Sequence, residues 1–435
     1  MSVRIVRSLL ALAAPVVASQ AASMMVSIAD TLMVGRLGNE PLGAVSFATN
    51  ISVPVSFFGI GIATIATPFI SRRFGRGDMQ SISRLIGHSR RLNLVLAFAL
   101  TAILIVLNAL MPYMGQPREV CNIALTYLPL LTASVFCQQL FMGGKAICEG
   151  LQDTRTPMAI SVCANVLNIV GNYVFIFGFG PISPMGVYGA ALSTLISRFL
   201  MWITMEIILR RKLRTLKLSS TTISRGSLSW RLFLCGLPIG LQTVLEMCGF
   251  ALGGLMMGWL GADALAAHQV VNLFISLTYL MAGGVATAVT IKVSVNCGVG
   301  NFRLARSYAL YGMLVSLLFM SCSTVLFISL RNVLPGLIID SAAAVAIGAQ
   351  LMLAGGACEI FDGLQVTAIG ALRGYADFRF PALAAGLAFV LCGLPIGYLF
   401  AFTLDFGPVG IWMGYVSGLI VACSLLLFRL RRFIK

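Results

Sequence analysis

Apolar and polar positions alternate along this chain on the scale of a membrane. Long apolar segments, each near the roughly 20 residues that cross a bilayer, are separated by short polar stretches from end to end of the 435 residues. Twelve spans are predicted, at 9–34, 45–70, 93–114, 120–147, 158–179, 186–209, 231–258, 266–292, 307–330, 341–369, 382–402 and 409–428. The pattern therefore predicts an all-α polytopic membrane protein. The first segment is long and lacks a small-residue cleavage site, so no cleaved signal peptide is expected.

The first and seventh spans share one frame. PVVASQAASMMVSIADTLMVGRLG begins at Pro15 and PIGLQTVLEMCGFALGGLMMGWLG at Pro238, an offset of 223. That offset also pairs Met33 with Met256, Gly38 with Gly261, Thr64 with Thr287 and Gly77 with Gly300. After one inserted residue, Gly150, Asp153, Arg155 and Pro157 meet Gly374, Asp377, Arg379 and Pro381 at 224. The chain is thus an internal duplication, expected as two pseudo-symmetric six-helix bundles, 1–209 and 231–435, with a basic cytoplasmic linker at 210–230. An even number of spans per half makes the copies parallel repeats, a transporter plan in which they face each other across a midplane cavity.

Composition sharpens the class. The chain is 59% hydrophobic and 10% charged, where a soluble domain is nearer a quarter charged. Its formal net charge of +16 does not indicate nucleic acid, because the basic residues lie in short loops where topology signals sit. With both termini cytoplasmic, 26 of the 30 Lys and Arg fall on one side. Arg36, Arg118 and Arg331 remain opposite, and Arg198 lies inside a span. The 11 Cys show no CxxC and no metal-ligand spacing, and are expected as core thiols. No clustered catalytic set marks an interface, so no enzyme is expected.

The candidate chemistry is a few acids in oil. A carboxylate within a membrane helix costs roughly 2.5–3.5 kcal/mol on insertion scales and is rare unless it faces a polar interior. Asp30, Glu246 and Asp362 meet that description, and none is duplicated: Asp30 maps onto Gly253, Glu246 onto Ser23 and Asp362 onto Gln138. Glu359 and Asp362 are three apart on one helix face, with Gln365 continuing the stripe. Gln242 lies one turn before Glu246. His268, Asn272 and Ser276 share a line on span 8, where His268 is expected near the outer end. These second-half groups form a candidate set of hard oxygen ligands for an alkali cation, with Glu246 and Asp362 as the expected Na+ ligands, or for a shared proton. In the first half, Asn165, Asn168 and Asn172 share one face of span 5. Amides beside Asp30 can hydrogen-bond either of its protonation states, as a proton carrier requires. Gln20 and these amides are candidates for a polar cavity lining. Helix–helix hydrogen bonding explains a single intramembrane amide equally well. Asp153 with Arg155, and Asp377 with Arg379, read as loop ion pairs.

The motifs together resemble the multidrug and toxic compound extrusion (MATE) family over essentially the whole chain. They are P-x4-Q-x9-D-x4-G-x-LG from Pro15 to Gly38, GLQDTRTP from Gly150, NIVGNYVFIFG in span 5, LGADALAAHQV after span 7 and ALRGYADFRFP after span 10. The resemblance implies export of cationic, often aromatic drugs by alternating access, driven by inward Na+ or H+ flow, in a bacterial inner membrane. No cofactor beyond that ion, no nucleic acid and a monomer are expected. In the NorM-like branch the span 7 and span 10 acids bind the coupling cation and the span 1 acid takes part in coupling; Glu246, Asp362 and Asp30 stand at those places. A related architecture, the lipid-linked oligosaccharide flippase, would need several basic residues within spans, and only Arg198, with Lys145 and Lys292 at edges, qualify.

Overall fold

The computed structural model describes residues 2–114, 117–216 and 228–434. It is helical, with no strand among the described residues. The helices are α1 (Ser2–Gly35), α2 (Asn39–Ala63), α3 (Ala66–Gly75), α4 (Met79–Leu110), α5 (Arg118–Gly150), α6 (Arg155–Phe177) and α7 (Gly186–Thr215). They continue with α8 (Leu228–Trp259), α9 (Ala262–Val299), α10 (Phe302–Ser329), α11 (Ala342–Gly374), α12 (Arg379–Ala385), α13 (Leu394–Tyr398) and α14 (Gly407–Ile434). Twelve spans result, because α2 and α3 form one and α12 and α13 another. Most run several residues beyond the predicted ends: the eighth, predicted at 266–292, is Ala262–Val299. A helix can leave the apolar layer without breaking, so composition marks the layer and not the helix end. Of the predicted linker, 217–227 lies outside the described residues, and its first residues continue α7.

Large side chains on α4, among them Leu94, Val95, Phe98, Ile103 and Val106, are exposed. Such a face is too apolar for water and suits lipid, where helices satisfy their own backbone polar groups. All 11 Cys are free thiols.

The duplication reaches the level of single hydrogen bonds. Asp78 caps α4 by accepting from Ser81 N, and Asn301 caps α10 by accepting from Leu304 N, each at 3.0 Å. Gly77 and Gly300 precede these caps at φ 68° and 84°, a region that suits glycine. Thr67 Oγ1 donates to Ala146 O, and Thr290 Oγ1 to Gly370 O. Ser71 Oγ and Ser294 Oγ donate to the carbonyls of Gly150 and Gly374. Two hydroxyls in each half therefore tie its second span to its fourth, holding glycine-bearing backbones close.

The helices form two compact units, and these depart from the expected 1–209 and 231–435 bundles at the two related helices. One unit comprises Met1–Val17 with Leu241–Lys435; the other is Ala18–Gly240. The physical reason lies in two related glycines. In the first unit the start of α1 packs on α9 at Gly284, where a Cβ would come within 2.4 Å of Val17 Cγ2 and 3.1 Å of Ala13 O. Ile5, Leu9 and Ala13 join a core with Val285, Val289, Val293, Leu426 and Leu430. In the second unit the start of α8 packs on α2 at Gly61, where a Cβ would meet Gly240 Cα at 2.8 Å and Ile239 O at 3.1 Å. Each boundary falls two residues after the repeated proline, Pro15 or Pro238, which removes a rung of the helical ladder. Because Gly61 faces backbone that cannot rotate away, Gly61→Ala is expected to destabilise the protein by about 1–3 kcal/mol. Gly43→Ala, with nothing within 4 Å, should be neutral or stabilising; thermal unfolding in detergent compares the two.

The eleventh span widens into π-helical turns at Gly386–Gly393 and Leu399–Thr403, on either side of Pro395. Proline supplies no N–H, and a slipped ladder re-satisfies the carbonyls around it. There Gly393 and Gly397 receive Gly414 of α14, whose Cβ would lie 2.5 Å from Gly393 O.

The two loop acids bind across the fold, not to their sequence neighbours. Asp153 pairs with Lys212 at the end of α7, and Asp377 with Arg429 at the end of α14, replacing the expected Arg155 and Arg379 pairs. Each also accepts from the backbone N–H three residues on, Thr156 or Phe380. Burial works to raise the Asp153 carboxyl, but the bonds from Lys212 and Thr156 hold it below the usual carboxylate range. A lowered folded value stabilises above the unfolded pKa, and that gain is lost as pH falls through the folded value. Acidification below about pH 4 should therefore lower the thermal midpoint of wild type more than that of Asp153→Asn.

Candidate functional site

Asp30 sits on the part of α1 that belongs to the second unit, and side chains from three other helices of that unit, α5, α6 and α7, lie around it. Asn172 of α6 donates to Asp30 Oδ1. Asn168, one turn earlier, turns its nitrogen to the same oxygen at 3.3 Å while its oxygen accepts from Ser197 Oγ of α7 at 3.1 Å. Arg198, the residue after Ser197, donates to Ser134 Oγ of α5 at 2.8 Å and interacts electrostatically with Asp30 and Tyr127. The acid thus faces a protein interior of amides and one guanidinium. The three-asparagine stripe is only partly used: Asn165 donates to Ser23 Oγ at 3.3 Å, a position away from the carboxylate. Gln20 is half-buried on α1. Arg198 was legible only as the one basic residue inside a span; its electrostatic link to Asp30 needed the fold.

The first unit holds the other acids. Glu246 Oε1 on α8 accepts from Gln242 Nε2 at 3.0 Å, one turn earlier, and from Gln365 Nε2 of α11 at 3.4 Å. Gln242 in turn accepts from Arg373 Nη2 at 3.2 Å. Asp362, half-buried on α11, lies within the field of Glu246, and Tyr279 of α9 lies within the fields of both. Two acids, two amides, a phenol and a guanidinium therefore converge from α8, α9 and α11. Glu359 is fully buried and accepts from Thr278 Oγ1 at 2.7 Å, while its Oε2 has no partner. Its charged neighbour is Asp362. No group of three or more His, Cys, Asp or Glu with metal-binding geometry occurs among the described residues. A cation at Glu246 and Asp362 would draw on amide and hydroxyl oxygens as well, as hard alkali ions accept.

His268 lies near the start of α9 and is buried. It is 3% exposed, and its ring lies 5.6 Å from that of Trp412 and 6.4 Å from that of Tyr415. Gly254 stands beside its Nε2. Its neighbours are rings and small residues, in the apolar core of Met256, Met257, Val271 and Leu419. Asn272 is half-buried on the same helix.

Twelve helices long and apolar enough to cross a bilayer define a multi-pass membrane protein. The sequence profile of the MatE family matches residues 15–174 and again 238–399, and the chain belongs to that family. The two matched stretches begin at Pro15 and Pro238, the starts of the duplicated frame. The chain is 29% identical to a probable multidrug resistance protein NorM of Rhizobium meliloti (strain 1021), covering 99% of this chain and 94% of that protein. Identity to a protein of the same description from Pseudomonas putida is 32%, over 97% and 93%. Among solved structures, the eukaryotic MATE transporter AtDTX14 superposes with a TM-score of 0.88 at 20% identity, over 99% and 96% of the two chains. The Vibrio cholerae MATE transporter VcmN in its bent form gives 0.87 at 18%, over 100% and 98%.

Proposed function

We propose that this chain is a multidrug efflux antiporter that exports organic cations in exchange for Na+ or H+ by alternating access, in a bacterial inner membrane with both termini cytoplasmic. The carrying observation is the pair of enclosed acid clusters, Asp30 in one compact unit and Glu246 with Asp362 in the other. Names of the relatives that match over nearly full length, at 29–32% identity, support drug export.

Asp30 takes up or releases a proton while Asn168 and Asn172 stay bonded to it. Glu246 and Asp362, two acids sharing one field, gain from a cation that neutralises their repulsion. A cation bound at either place opposes a positively charged drug by charge alone, and it shifts the transport equilibrium only by its differential affinity for the two states. Inverted vesicles test this reading with ethidium as the drug. Ethidium should accumulate when a sodium gradient or a pH gradient is imposed with the ion concentrated inside the vesicle. No accumulation with either gradient would sink the proposal.

A further inference from the structure

Among the described residues, Arg373 is the cation whose field reaches Glu246, and the reading above gives it no role. We propose that Arg373 is a positioning residue and resident counter-cation: through Gln242 it fixes Glu246 and competes with the coupling cation for that carboxylate. This inference rests on the ion-coupled reading.

The hydrogen-bond arithmetic is directional. A guanidinium only donates, so the Gln242 group that meets Arg373 must be its oxygen, as the 3.2 Å contact shows. The amide then has only its nitrogen to offer Glu246, which it does at 3.0 Å. Arg373 therefore fixes the orientation of the amide that holds the acid. Its Nε has no partner and no contact with solvent, so much of its compensation comes from charge. The group that supplies that charge is Glu246 on α8. Neutralising Glu246 with a cation leaves Arg373 as an uncompensated charge, which is costly in a poorly hydrated site.

The duplication separates this role from a need of the fold. At an offset of 224 the counterpart of Arg373 is Glu149. Glu149 is buried at the end of α5, 3.9 Å from Lys145. The next residues, Gly150 and Gly374, pack alike, with a built Cβ 2.7 Å from Ile70 Cβ or Val293 Cβ. The scaffold thus accepts either sign of charge at this place. Glu246 has Ser23 as its counterpart and Gln242 has Ser19, so the guanidinium, the amide and the acid occur together in one half only.

The test is ethidium binding to detergent-solubilised full-length protein, titrated with Na+ at constant ionic strength and, separately, with H+. Arg373→Gln should lower the cation concentration that half-displaces ethidium by about tenfold or more, as expected from deleting a unit charge within several ångströms. Arg373→Lys, which keeps the charge, should stay near wild type. A merely structural arginine would lower ethidium binding in both variants and leave the half-displacing concentration where it was, and that result overturns the inference. If Arg373→Gln does not fold, Gln242→Ala carries the same expectation in the same direction. A wild type insensitive to both ions overturns the coupled reading and this inference with it; an ion-sensitive wild type with no shift in the variants overturns this inference alone.

Discussion

Asp30→Asn is expected to abolish gradient-driven ethidium accumulation while the protein still folds. Asparagine keeps the shape of the side chain and can still accept from Asn172, so the helix contacts survive. What it loses is the charge, and with it any uptake of a proton or cation in exchange for drug. The substitution also strips Arg198 of its acidic partner. Arg198 then lacks the negative field that favours its charge, while its hydrogen bond to Ser134 remains. Adding Arg198→Gln should recover part of the lost thermal stability without restoring transport. A transporter that accumulated ethidium at the wild-type rate with Asn at position 30 would remove Asp30 from the mechanism.

The second large effect is expected at Glu246 and Asp362. Asp362 lies in the field of Glu246, and on the proposed reading the two take one cation as a unit. Glu246→Gln and Asp362→Asn should each lose most ion-driven transport, and the double variant should be little worse than the poorer single one. Non-additivity of that kind is the signature of groups that act together. Independent, multiplying losses would mean two sites. Glu359→Gln should cost far less, within about tenfold, because Glu359 is held by Thr278 and meets the cluster only through the field of Asp362. Initial rates of ethidium uptake in inverted vesicles compare all four.

The acids were legible in the sequence because their cost in lipid is large and their positions are not duplicated. Asp30 and Glu246 stood out for that reason, and the nearby amides at Asn172 and Gln242 followed from helical spacing. The cations paired with them were not legible. Arg198 had no visible counter-charge until the fold placed it in the field of Asp30, and Arg373 counted with the loop cations although it lies in the last turn of α11. Short loops made Arg155 the obvious partner of Asp153, but Lys212 from a distant helix end takes that place. The duplication revealed which positions correspond, not which touch. Gly61 and Gly284 were visible as small residues within spans, whereas the helix starts they receive come from α8 and α1, far away in sequence. His268 shows the same limit: its line of polar neighbours on α9 was visible, and the rings of Trp412 and Tyr415 beside it were not.

The central claim is that drug and cation compete through these enclosed carboxylates, and linkage makes that competition reciprocal. The most direct measurement is the ethidium affinity of the wild-type protein in detergent as Na+ rises or pH falls. Affinity should weaken with at least one of the two ions and lose that dependence in the Asp30→Asn, Glu246→Gln, Asp362→Asn triple variant. Equal affinity at every ion concentration, or the same dependence in the triple variant, would contradict the account.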